Sequence, residues 1–129
     1  MKDLNKELIE ACREGNTEEV ESLIKKGADV NAVDDYGFTA LLRGSMCGHT
    51  ELIKPLIDAG ANVNAVDELG WTALMNASLK GYTEIVKILI DNSSDVNSVN
   101  LFSETVLSVA IKNKDIEIIK LLIDAGAEI

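Results

Sequence analysis

At 129 residues, 47% of them apolar, the chain is long enough for one sizeable core and too short for a second domain. Its net charge of −10, from 22 acidic against 12 basic residues, sets it against nucleic acid and anionic membrane surfaces, where each phosphate contact needs a Lys or Arg. No apolar run reaches the ~18 residues of a membrane span, and the charged opening MKDLNKELIE lacks the apolar segment of a signal peptide.

Cys12 and Cys47 stand apart without CxxC spacing, and one histidine, His49, completes too small a ligand set for zinc. No metal, cofactor or catalytic residue is expected. Free thiols without an export signal point to the cytoplasm. The sequons Asn76-Ala77-Ser78 and Asn92-Ser93-Ser94 are then accidental.

In chain order the sequence restates one phrase every 33 residues: KKGADVNAV ending at Val33, DAGANVNAV at Val66, DNSSDVNSV at Val99, and DAGAEI at the C-terminus. Such a period denotes a stacked array of supersecondary units. The units fall at 1–33, 34–66, 67–99 and 100–129 of a single domain. Each reads as a turn, a short helix, a sharp reversal and a second helix.

The first unit carries Lys6, Glu7, Glu10, Arg13 and Glu14 on its first helix, as an end unit with one face in water requires, and reverses at Gly15. In the second, Asp34, Asp35 and Gly37 form a tight turn and Thr39 caps the next helix. Leu41, the small Gly44, the reversal at Gly48 and the closing Gly60 follow. Gly44 costs roughly 1 kcal/mol relative to alanine, and Pro55, inside the second helix, ~3 kcal/mol or more. The helix is expected to bend there or to place the loss in its first turns; the alternative is a softened repeat that adjusts to a partner.

The third unit repeats the frame through Thr72, Leu74, Ala77 and Gly81, but ends on Ser93 in the column of Gly27 and Gly60. Asn92 is expected to take the left-handed conformation in its stead. The fourth runs through Thr105, Leu107, Ala110 and Lys114 to Gly126. Its Lys112, Asn113, Lys114, Asp115, Glu117 and Lys120 suit an end unit, although the phrase breaks off at Ile129 as a piece of a longer array would.

The stretches DDYGFTALL, GHTELI and LIDAGANVNA of the second unit, and DELGWTALMNASLKGYTEIVKILI of the third, resemble the ankyrin repeat. The resemblance covers essentially the whole chain, with 1–33 and 100–129 as capping repeats. It implies an all-α solenoid of stacked helix-turn-helix units with projecting β-turn tips. It also implies non-catalytic protein binding through those tips and the concave face of the first helices. The chain departs from the family's Thr-Pro-Leu-His at Thr39-Ala-Leu-Leu, Thr72-Ala-Leu-Met and Thr105-Val-Leu-Ser. Losing proline at the first helical position removes preorganisation but no hydrogen bond.

Function is expected where the copies differ. Four of the five aromatic residues fall in the turns. Tyr36, Leu69 and Phe102 share one column, Phe38, Trp71 and Glu104 another, and Leu101 adds to the last tip. Exposed apolar groups gathered on one face mark an interaction site, and Trp71, central in the array, is the first choice as anchor. Packing of tip on tip is the competing use of the same side chains. Met46 and Leu79, on the first helices, add an apolar strip flanked by Arg13 and Lys112. Asp35, Glu68 and Glu104 add acid, so the expected partner is a protein with an apolar knob and a basic rim, held by a monomer. Masking of an enzyme or toxin is one alternative; self-assembly into a structural array is another.

Overall fold

The computed structural model describes residues 3–129. Eight helices follow in pairs: α1 Leu4–Glu14 and α2 Thr17–Lys25, α3 Ala40–Cys47 and α4 Thr50–Asp58, α5 Ala73–Lys80 and α6 Thr83–Asp91, α7 Val106–Asn113 and α8 Ile116–Asp124. The first helix of each pair packs on the first of the next, and the second on the second, giving two layers with the core between them. This is the expected all-α solenoid. Among the described residues the only extended pairing is two isolated antiparallel bridges, Val66 with Thr72 and Val99 with Thr105, at the bases of the tips.

Local chemistry sets the helix ends. The Thr39, Thr72 and Thr105 hydroxyls accept from the N–H groups of Leu42, Met75 and Ser108 at 3.2, 3.1 and 3.0 Å, satisfying donors that helix starts leave free. The first repeat differs: Asp3 caps α1, so Lys6, in the threonine column, lies inside the helix. The first three pairs reverse at Gly15, Gly48 and Gly81, all left-handed. Glycine is needed there twice over, because a Cβ on Gly48 would lie 2.7 Å from the Tyr82 ring that packs beneath it.

The core is the aliphatic columns of the repeat. Leu8, Leu41, Leu74 and Leu107 on the first helices face Val20, Ile53, Val86 and Leu23, Leu56, Leu89, Leu122 on the second, all buried. Gly44 has a packing reason: a Cβ there would lie 2.4 Å from Cδ1 of the buried Leu52. A ladder of asparagines joins the repeats. Asn31, Asn64 and Asn97 accept through Oδ1 from the N–H groups of Asn62, Asp95 and Glu128, one repeat on, at 2.7, 2.7 and 2.8 Å. The invariant-looking Asn of the repeated phrase is thus a clamp between units as well as a turn residue.

Two local expectations are resolved. Pro55 leaves α4 continuous from Thr50 to Asp58. The bond that Pro55 cannot donate is the one to Glu51 C=O inside the helix, and at the helix start Leu52 N–H bonds His49 C=O at 3.3 Å in a tightened turn. At the end of α6 the left-handed residue is Ser93, with φ 70°, and not Asn92 as expected, which sits at φ −107°. The reason is the bonding pattern that closes the helix. Ser93 and Ser94 N–H bond the carbonyls of Ile90 and Leu89 at 3.1 and 3.0 Å, as Gly27 and Ala28 do after α2, and this pair of bonds requires the left-handed turn at Ser93. The Asn92 amide instead donates to Ile88 C=O at 2.8 Å.

Candidate functional site

Each tip is built around one side-chain oxygen. Asp34 Oδ1 accepts from the N–H groups of Tyr36 and Phe38 at 2.9 and 3.0 Å; Asp67 serves Leu69 and Trp71 at 2.9 and 3.0 Å; Asn100 serves Phe102 and Glu104 at 2.9 and 3.1 Å. Main-chain bonds from Asp34 to Phe38, Asp67 to Trp71 and Asn100 to Glu104, each 3.0 Å, close the same turns. Each turn is thus closed by its own hydrogen bonds rather than by its apolar side chains.

Those side chains divide into two sets. Tyr36, Leu69, Leu101 and Phe102 stand at least half exposed along the tips, as expected. Phe38 and Trp71 do not: both are half-buried and pack against the core. The expectation that Phe38 and Trp71 stand exposed with the other tip residues is corrected. The residue just before the capping threonine returns toward the helix stack, while the residue two earlier sits at the turn's apex. The sequence reading also passed over Val33, Val66 and Val99, which close the repeated phrase and are each half exposed or more. A β-branched residue in one column of every tip, outside the helical pattern, was the available signal.

Met46 and Leu79 are half-buried on α3 and α5, with Cys47 and Lys80 exposed beside them. The flanking cations are engaged: Arg13 pairs with Glu10, and Lys112 with Glu104. Tip packing is real as well, since Leu101 N–H donates to Leu69 C=O at 3.0 Å.

Electrostatics separate the tips. Arg43 bonds Asp34 Oδ2 through Nε and Nη2 at 3.0 and 2.9 Å, and its guanidinium lies 4.2 Å from the Phe38 ring centroid and 5.9 Å from that of Tyr36. Burial works against ionisation of Asp34, but the Phe38 and Tyr36 amides and the Arg43 guanidinium outweigh it and hold the carboxyl below its ordinary range. Glu104 is held low by Lys112 and then by the Asn100 amide. The turn segments 28–39, 61–72 and 94–105 contain no Lys, Arg or His. A cleft of about 200 Å³ opens between the second and third tips, lined by Tyr36, Phe38, Asp67, Glu68 and Leu69.

Elsewhere the chemistry is structural. His49 Nε2 lies 2.9 Å from Arg13 C=O and so ties the second repeat to the first. Cys12 is buried, which pushes its thiol up to about 12, and Cys47 is exposed; both are free. Among the described residues no three His, Cys, Asp or Glu side chains gather as a metal site would need, and no helix is long and apolar enough to cross a membrane.

Comparison with known families agrees with the repeat geometry. A family model described as ankyrin repeats (3 copies) matches residues 45–129, and one described as ankyrin repeats (many copies) matches residues 8–57. A search of curated proteins finds no match. With paired helices, capped turns and inter-repeat asparagine clamps recurring at the period these families share, the chain belongs to the ankyrin-repeat family.

Proposed function

We propose that the chain is a non-catalytic module that binds one protein partner along its tips. Ankyrin repeats are in general protein-protein interaction modules. The observation that carries the reading here is the row Tyr36, Leu69, Leu101 and Phe102, exposed on turns that are closed by their own hydrogen bonds. An apolar row of this kind gains by being covered. Phe38 and Trp71 form its floor, and Met46 and Leu79 extend it onto the first helices. Carboxylates beside the row favour a partner with an apolar knob and a basic rim. The row lies on one chain and needs no second copy, so the module acts as a monomer, in the cytoplasm.

Partner capture from a lysate by the full chain, set against Leu69→Ser/Phe102→Ser, tests the site. The tip variant is expected to keep its helicity and lose the captured protein, while Glu18→Ser/Lys25→Ser, on exposed α2, keeps it. Equal capture by all three would place the binding surface elsewhere.

A further inference from the structure

Acid is not spread evenly over the tips. Positions 34, 67 and 100 read Asp, Asp, Asn, and positions 35, 68 and 101 read Asp, Glu, Leu, so the fourth tip lacks both of these acids and its one carboxylate, Glu104, is paired with Lys112. The cleft of about 200 Å³ lies between the second and third tips. It is smaller than the ~300–1,000 Å³ of small-molecule sites and suits a single side chain.

Its walls are built for a long cation. Tyr36, Phe38 and Leu69 supply the apolar sides. Gly37 gives Glu68 room: a Cβ there would lie 2.8 Å from Glu68 Cγ, and its absence lets the Glu68 stem fold over the second tip. Asp67 commits Oδ1 to the amides of Leu69 and Trp71, while among the described residues Oδ2 makes no hydrogen bond. Arg43 claims Asp34 and Lys112 claims Glu104, but among the described residues no ion pair reaches Asp67 or Glu68. The Arg43 guanidinium, 4.2 Å from the Phe38 ring centroid, is itself neutralised by Asp34, which leaves Asp67 and Glu68 as the acids facing a newcomer.

We propose that this cleft is the subsite for one Lys or Arg side chain of the bound protein. The methylene stem lies against Tyr36, Phe38 and Leu69, and the cationic head sits between Asp67 and Glu68. The proposal rests on the tip reading above and narrows it by orienting the partner. The basic contact falls between the second and third tips. One repeat further, ~10 Å along at the usual spacing of packed helices, Asn100 and Leu101 replace the acids and an apolar contact follows. An apolar or acidic side chain in the cleft would leave Glu68 desolvated or repelled.

Nuclear magnetic resonance titration of the full chain with ethylguanidinium and with n-butylammonium tests the subsite, with n-butanol as the neutral probe. Saturable shifts are expected at the amides of Tyr36, Glu68 and Leu69 for both cations and not for the alcohol. Glu68→Gln is expected to weaken cation binding by about threefold or more, on the scale of one lost charged partner at an exposed site, and Glu51→Gln, exposed on α4, to leave it unchanged. Shifts scattered over all exposed carboxylates, equal shifts with the alcohol, or indifference to Glu68→Gln would overturn the subsite. If the cations fail while Leu69→Ser/Phe102→Ser still abolishes capture, the subsite falls and the tip surface stands. If the cations seat but capture survives those tip substitutions, the cleft is not part of the partner site and the proposal falls.

Discussion

Gly70 lies directly under the fourth tip: a Cβ on it would come 3.0 Å from the Leu101 nitrogen and 3.1 Å from Asn100 Cα. The contact is with main chain, which cannot rotate away, and Leu101 N–H is held there by its bond to Leu69 C=O. Gly60 is also left-handed, at φ 98°, but a Cβ on it would meet nothing within 4 Å. Gly60→Ala is therefore expected to cost only the backbone term of ~1–2 kcal/mol. Gly70→Ala should cost that plus the separation of two tips, about 2–4 kcal/mol in total. Urea unfolding of the two variants checks the order; equal losses would mean that the tips are not in register.

Among the described residues, three other than glycine adopt left-handed backbone, Ser93, Ser103 and Lys114, with φ of 70°, 62° and 57°, and all lie between the end of α6 and the start of α8. Their columns hold Gly27 and Gly60, Gly37 and Gly70, and Gly15, Gly48 and Gly81. Each should stabilise the chain by ~1 kcal/mol when changed to glycine, the strain removed being partly offset by a freer unfolded chain. Thermal unfolding of the single and triple variants measures the gain. Because two of the three, Ser103 and Lys114, lie in the last repeat, amide exchange there is expected to be faster than in the second, and to slow in the triple variant.

Ser45 and Ser78 occupy one column of the first helices with hydroxyls that are buried and bond nothing. A buried hydroxyl without a partner costs about 1–3 kcal/mol of lost hydration. Ser78→Ala should accordingly be neutral or stabilising by up to ~1 kcal/mol, against the usual sense of a core truncation. A clear loss on denaturant titration would reveal a bond formed in solution.

The Asp34 carboxyl, held below its ordinary value of 3.8, makes the second tip sensitive to acid. The sign follows from linkage. A carboxylate more acidic in the folded state stabilises that state fully above the unfolded value, and the gain is lost as pH falls through the folded value. Stability should thus be flat from neutrality to about pH 5 and fall below pH 4. Asp34→Asn keeps the oxygen that Tyr36 and Phe38 need, as Asn100 does in the last tip, but gives up the Arg43 pair. It is expected to be less stable at pH 7 and to lose less on acidification, as paired unfolding curves at pH 3 and pH 7 would show.

The sequence by itself determined the architecture. A period of 33 residues repeats every local signal in register: capping threonine, aliphatic columns, reversal glycine and closing glycine. Local signals of that kind are legible because each acts over one or two turns of chain, and three or four agreeing copies remove the ambiguity of any single one. The missing donor of Pro55 was legible too, because it is a local fact.

Only the tertiary structure decided which tip residues face water. Tyr36 and Phe38 sit two apart on one turn, bonded to the same Asp34 oxygen, yet one stands out and the other packs inward beneath Arg43. Val33, Val66 and Val99 looked like the end of a structural phrase and prove exposed. The Glu68 stem lies over the second tip because Gly37 has no side chain to meet it. Burial and clefts are set by the neighbouring repeat, 33 residues away in sequence and in direct contact in space. No pattern within a single copy can state what the next copy covers.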